Sequence, residues 1–204
     1  MKTVSKYKLA KRLGPSIFEK TQSQKFALAA ERAAKNKKGG RGRGASEFGK
    51  QLLEKQKVRV TYGLSERQFG NYVEEAMGAK TKSPVEALHE SLELRLDNIV
   101  YRIGLAPTRR AARQMVSHGH ITVDGVKTTI PSRKVYLGEV ITVRDGSKAA
   151  GLFATFADKF AERPLPSWLS FDAKTMKGGI TALPTKESAD PAGDLVTVIS
   201  FYSR

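Results

Sequence analysis

Three arginines, Arg109, Arg110 and Arg113, fall with Ser117 on one side of a short predicted helix, opposite Ala111, Ala112, Met115 and Val116. Guanidinium groups are planar, permanently charged forks that match phosphate oxygens two at a time. On the first turns of a helix they share their target with unsatisfied backbone N–H groups and the positive end of the helix dipole. The chemistry this arrangement performs is phosphate capture. Pro107 and Thr108 start the helix, Thr108 as candidate N-cap, and Gly119 stops it. Residues 121–123, the turn pair Asp124-Gly125 and residues 126–128 then predict a hairpin that carries Lys127. His118 and His120 flank the helix end, where an imidazolium suits the dipole, and are read as surface groups near RNA.

The charge balance agrees with a polyanion as partner. The 204 residues carry 36 Lys and Arg against 20 Asp and Glu, a net charge of +16. The excess is concentrated at the start, where residues 1–61 hold 17 basic and 4 acidic side chains. Candidate RNA contacts in this part are Lys6, Lys8, Lys11, Arg12, Arg41, Arg43, Lys55, Lys57, Arg59 and Tyr62, followed by Arg67. In the middle of the chain they are Arg95, Arg109, Arg110, Arg113, His118, His120, Lys127, Arg133 and Lys134. Tyr62, inside VRVTYG, stacks on a base or packs in the core; Phe69 and Tyr72 are read as core.

No apolar run approaches the ~20 residues of a membrane span, and the first residues lack the apolar stretch of a secretory signal. A basic mitochondrial presequence would not carry its charge as far as this chain does. Cysteine is absent, so there is no disulfide framework, thiol nucleophile or Cys-held zinc, and the cytosol is the expected compartment. No phosphate-cradling glycine loop, serine elbow or supported carboxylate pair is present, and GGRGRG follows no strand. Neither catalytic residues, metal, cofactor nor small-molecule substrate is expected.

Residues 1–45 are expected to be a basic arm, poorly ordered alone, with a possible helix over 26–34 and the run KNKKGGRGRG at 35–44. Helices follow. Ser65 with Gln68 forms a capping box ahead of the stripe Phe69, Tyr72, Val73, Ala76 and Met77. Ser83, Pro84 and Glu86 open the next helix. Leu92, Leu96, Ile99, Val100 and Ile103 make a further stripe closed by Gly104, with Arg95, Asn98 and Arg102 off it. Residues 135–137 and 140–143 predict two strands, 149–161 a helix, and LVTVISFY, residues 195–202, a closing strand.

The segment LELRLDNIVYRIGLAPTRRAARQMVSHGHITVDGVKTTIPSRKVYLGEVITVR, residues 92–144, resembles the RNA-binding domain named after the fourth protein of the small ribosomal subunit. That domain also occurs in pseudouridine synthases and tyrosyl-tRNA synthetase. Arg95-Leu96-Asp97 itself resembles the synthase motif whose aspartate attacks uridine, but it sits within a helical stripe, so Asp97 is read as a salt-bridging residue. GKQLLEKQKVRVTYGLSERQFGNYVEEA, RPLPSWLSFD, LVTVISFYSR and RLGP are similar to the ribosomal family itself, bacterial-type S-four. The resemblance implies an α+β protein. It has a basic arm (1–45), a helical domain (46–92 with about 163–204) and an inserted S-four domain (93–162) of two helices on a small, mainly antiparallel sheet. It further implies a cytoplasmic, ribosomal role: binding a multi-helix junction of small-subunit rRNA, nucleating the subunit body, contacting ribosomal protein S-five in translational accuracy, and lining the mRNA entry. Some members hold a Cys zinc cluster near the N-terminus; without cysteine, that role is not carried over. The competing readings are an RNA-modifying enzyme with this domain, for which no length remains, and a free RNA chaperone or translational repressor.

Overall fold

A computed structural model describes residues 5–18, 21–35, 46–148, 153, 165–185 and 192–203. The chain divides into two compact units, residues 1–73 with 191–204, and residues 74–190.

The first unit is helical. It contains α1 (Lys6–Leu13), α2 (Gln24–Lys35), α3 (Glu47–Thr61) and most of α4 (Glu66–Met77). Ser46 caps α3 through Gly49 N–H, and Ser65 Oγ accepts from Gln68 N–H at the start of α4. Val58, Tyr62, Leu64, Phe69 and Val73 are buried, as are Ala10, Leu13, Ile17 and Phe26. The expected loose arm is therefore corrected over its described part: α1 packs on α3, and its Ala10 and Leu13 are buried. Residues 36–45, with Arg41 and Arg43, lie outside the described residues.

The last described element of this unit corrects the predicted closing strand. Leu195–Tyr202 is a helix lying against α3 (we number it α9, after the short α8 below). Asp194 Oδ1 accepts from Val196 N–H, and its other oxygen accepts from the Thr197 hydroxyl, an N-cap that starts the helix. Leu195 and Val198 are buried one helical turn apart, so packing and capping outweigh the strand preference of a β-branched, aromatic run.

The second unit opens with α5 (Pro84–Glu93), whose Ser83–Glu86 capping box has both bonds in place. The stripe read as one helix from Leu92 is broken. The chain leaves α5 at Leu94, extends through Arg95, and restarts as α6 (Leu96–Arg102). The cause is a crossing segment. Arg95 bridges Lys134, Val135 N–H donates to the Leu94 carbonyl, and Leu96 and Asp97 N–H donate to the carbonyls of Arg133 and Pro131. Residues 135–137 are accordingly not a partner strand of 140–143; the single bridge at Lys134 is all the pairing this stretch makes among the described residues.

After α7 (Arg109–Ser117) comes a five-stranded antiparallel sheet in the order β2-β1-β3-β5-β4. Its strands are β1 (Ile121–Val123), β2 (Val126–Lys127), β3 (Val140–Val143), β4 (Leu169–Asp172) and β5 (Lys177–Ile180), with α8 (Asp145–Lys148) after β3. Asp124 and Gly125 both have positive φ, 49° and 79°, the tight hairpin turn expected of an Asp-Gly pair. β3 pairs with β5 through Val140 to Gly179, so residues 169–180 extend this sheet, whereas the sequence reading placed them in the helical domain. The predicted helix over 149–161 lies outside the described residues apart from Phe153, which is buried. Among the described residues no helix is long and apolar enough to cross a membrane.

Candidate RNA interface

The arginine face rests on a helix that the sequence sets down with its apolar side inward. Thr108 has extended backbone angles, and its Oγ1 accepts from Ala111 N–H at 3.1 Å, which starts α7. Ala112, Met115 and Val116 then join Leu96, Ile99 and Val100 of α6 and its C-cap Ile103 in one core with Ile121, Val123, Ile141 and Val143 of the sheet. Burying that side leaves Arg109, Arg110 and Arg113 on the other.

Two buried carboxylates stand behind these cations. Asp97 accepts two bonds from Arg95, Nε to Oδ1 at 3.0 Å and Nη2 to Oδ2 at 2.6 Å, and Arg113 Nη1 comes within 4.0 Å of Oδ2. Glu93, 0% exposed, is gripped by Arg102 at 2.9 and 2.8 Å and by Asn98 Nδ2 at 2.9 Å. Asn98 Oδ1 accepts from Arg109 Nε at 2.9 Å, and the Arg109 guanidinium lies 4.5 Å from the Tyr101 ring centroid. Arg110 is exposed and makes no ion pair among the described residues. Sequence reasoning set Arg102 and Asn98 aside as off the apolar stripe and passed over Glu93. The available signal was the i, i+4 spacing of Asn98 and Arg102 on one helix face.

Beside this face, at the C-terminal end of α7, His118 is exposed, and His120 Nδ1 lies 3.0 Å from Ser147 Oγ. The Lys127 side chain from β2 crosses the same end. Gly119 has a φ of +72°, which favours glycine, and the Lys127 Cε lies where its Cβ would stand. In the first unit, Lys6, Lys8, Lys11 and Arg12 are exposed on α1, and Arg67 is exposed on the first turn of α4. Lys6 Nζ sits 6.0 Å from the Phe18 ring.

Several of the expected contacts are buried or already engaged in ion pairs. Arg95 is 1% exposed because the break between α5 and α6 turns it inward onto Asp97. Tyr62 is core. Lys55 is buried on α3, paired with Glu66 and set 4.8 Å from the Phe201 ring and 5.7 Å from the Tyr202 ring. Arg59 holds Glu66 at 3.2 Å, Gln56 and the Leu64 carbonyl. The half-buried Tyr202 hydroxyl donates to Glu66, and burial with this neighbouring carboxylate pushes its pKa up to about 12. Arg133 Nη2 is spent on Glu139 at 2.7 Å, and its buried Nη1 has no hydrogen-bond partner among the described residues. Lys57 pairs with Glu54 at 3.5 Å, and Lys134 stands 3.8 Å from Glu90 and 5.9 Å from the Tyr136 ring. Asp97 is bound as the sequence reading expected, in a salt bridge. Among the described residues no group of three His, Cys, Asp or Glu is arranged to hold a metal.

A helix-on-sheet unit that carries three arginines on one side of its helix, backed by two buried carboxylates, has the cationic surface that suits a phosphate backbone. Residues 94–141 match the S4 domain, and residues 2–93 match the Ribosomal protein S4/S9 N-terminal domain. The chain is 42% identical over 205 residues to small ribosomal subunit protein uS4 of Roseiflexus sp. (strain RS-1), covering 97% of this chain and 96% of that one. It is 40% identical over 200 residues to the uS4 of Acetivibrio thermocellus, with the same coverage, and 41% identical over 203 residues to that of Latilactobacillus sakei, covering 99% and 98%. The chain belongs to the uS4 family of small ribosomal subunit proteins.

Proposed function

We propose that this protein is a structural, non-catalytic component of the small ribosomal subunit in the cytoplasm and binds small-subunit rRNA directly. The observation that carries this is similarity along almost the whole chain to proteins named for that subunit. The arginine face of α6 and α7 supports it, since Arg110 and the exposed α1 cations have no other ionic partner among the described residues. Within this reading the RNA contacts come from α1, Arg67, Arg109, Arg110, Arg113, His118, His120 and Lys127, with Arg41 and Arg43 adding charge from the glycine-rich run. The helical unit and the S4-domain unit each grip the RNA, together bridging a multi-helix junction and nucleating the subunit body. Ribosomal protein S-five and mRNA at the entry site are further partners that the family resemblance implies. Sucrose-gradient fractionation with RNA footprinting tests the reading. Co-migration with small subunits and protection at one rRNA junction is the expected result; protein at the top of the gradient with no protected junction overturns it.

A further inference from the structure

Asn98 stands between a buried carboxylate and an arginine of the exposed face. Both protons of its Nδ2 point at Glu93, one to the backbone carbonyl at 3.1 Å and one to Oε2 at 2.9 Å. That fixes which way the amide faces, because a flipped amide would turn its oxygen toward the Glu93 oxygens. Oδ1 must then face the other way, where it accepts from Arg109 Nε at 2.9 Å. Glu93 is itself held by Arg102 through both oxygens, so the chain of bonds is anchored in the core at one end. At the other end the guanidinium is set against the Tyr101 ring, 4.5 Å from its centroid. A hydrogen bond at Nε and a ring beside the guanidinium restrict a side chain that otherwise samples many rotamers. An aspartate would not serve here, since it would set a second carboxylate against Glu93.

We propose that Asn98 is a positioning residue for RNA recognition, which holds the Arg109 guanidinium ready for a phosphate. This rests on the rRNA-binding reading above. Asn98 touches no RNA on this account; it spares Arg109 the entropy of being ordered at binding. Losing one such preordered side chain weakens binding by roughly three- to tenfold, without removing a phosphate contact, so the salt slope stays as it was. Removing Arg109 itself lowers that slope by about 0.7–0.9.

The experiment has two arms, both on the full chain. In the free protein, 15N relaxation at the Arg109 Nε–Hε group reports its order directly. It is expected to be rigid in wild type and mobile in N98A, and in N98S should the alanine variant melt early. Equal order in wild type and variants overturns the inference without touching the function. In the second arm, affinity for a small-subunit rRNA fragment is titrated with salt for wild type, N98A, R109A and the double variant. The inference expects N98A to lose affinity at constant slope and to cost nothing further once Arg109 is gone. Additive losses overturn the positioning role alone. An R109A variant that binds like wild type with unchanged slope removes this face from the RNA, and the role of Asn98 with it.

Discussion

Asp97→Ala is expected to be among the most damaging single changes in the second unit, because Asp97 holds a buried cation. Its two oxygens hold a guanidinium that is 1% exposed, through bonds of 3.0 and 2.6 Å. Truncation strips that buried cation of its carboxylate, which costs about 3–5 kcal/mol. Against a total stability of about 5–15 kcal/mol, that is a large fraction. With a urea dependence of about 1–3 kcal/mol per molar, the unfolding midpoint falls by roughly 1–5 M. The control is R95M/D97L, which replaces the pair by apolar side chains of similar volume. Swaps of this kind are often neutral or stabilising, so the double variant recovers most of the loss. Urea titrations followed by circular dichroism at 222 nm read all three proteins. A D97A midpoint equal to wild type would refute the stranded-charge argument. A double variant as weak as the single would move the cause to packing around the α5–α6 break.

Replacing Arg109, Arg110 and Arg113 together with alanine leaves a folded protein and lowers the slope of log K against log salt by roughly two to three units; lysine replacements restore the slope but less of the affinity. Gly178→Ala destabilises the sheet by about 1–3 kcal/mol, because its Cβ would lie 2.3 Å from the Ser170 carbonyl oxygen across the β4–β5 pair, while Gly146→Ala, with open space, is silent in the same melting assay. Deleting residues 1–18 lowers the urea midpoint as well as RNA affinity, since Ala10, Leu13 and Ile17 are buried; unaltered unfolding would return this segment to a loose arm. Tyr202 ionises late: the raised folded-state value favours the neutral phenol in the native protein, so its contribution to stability is complete below about pH 10 and disappears as pH rises through about 12. The alkaline absorbance difference between wild type and Y202F, with a midpoint near that of an exposed tyrosine, would contradict this.

Where local rules alone shape an element, the sequence is readable: Ser83 with Glu86, Thr108 before α7, and Asp124-Gly125 between β1 and β2 each do what their side chains and dihedrals require. The misreadings share one origin, contacts made by residues far apart in the chain. LVTVISFY becomes α9 because α3 supplies a surface for Leu195 and Val198 and a lysine, Lys55, for the rings of Phe201 and Tyr202, contacts no window of eight residues can show. The α5–α6 break exists because residues 131–135 take the hydrogen bonds that a continuous helix would have made. That same break explains why Arg95 is buried while Arg110 is exposed. Both are arginines in a basic stretch, but only at Arg95 does the chain bend to bring a carboxylate, two residues on, inside with it. The cost of burying the pair is met by bidentate geometry. In return the carboxylate's second oxygen lies at the rear of the exposed face, 4.0 Å from Arg113. The buried pair therefore sets a carboxylate behind the arginine-bearing side of α7.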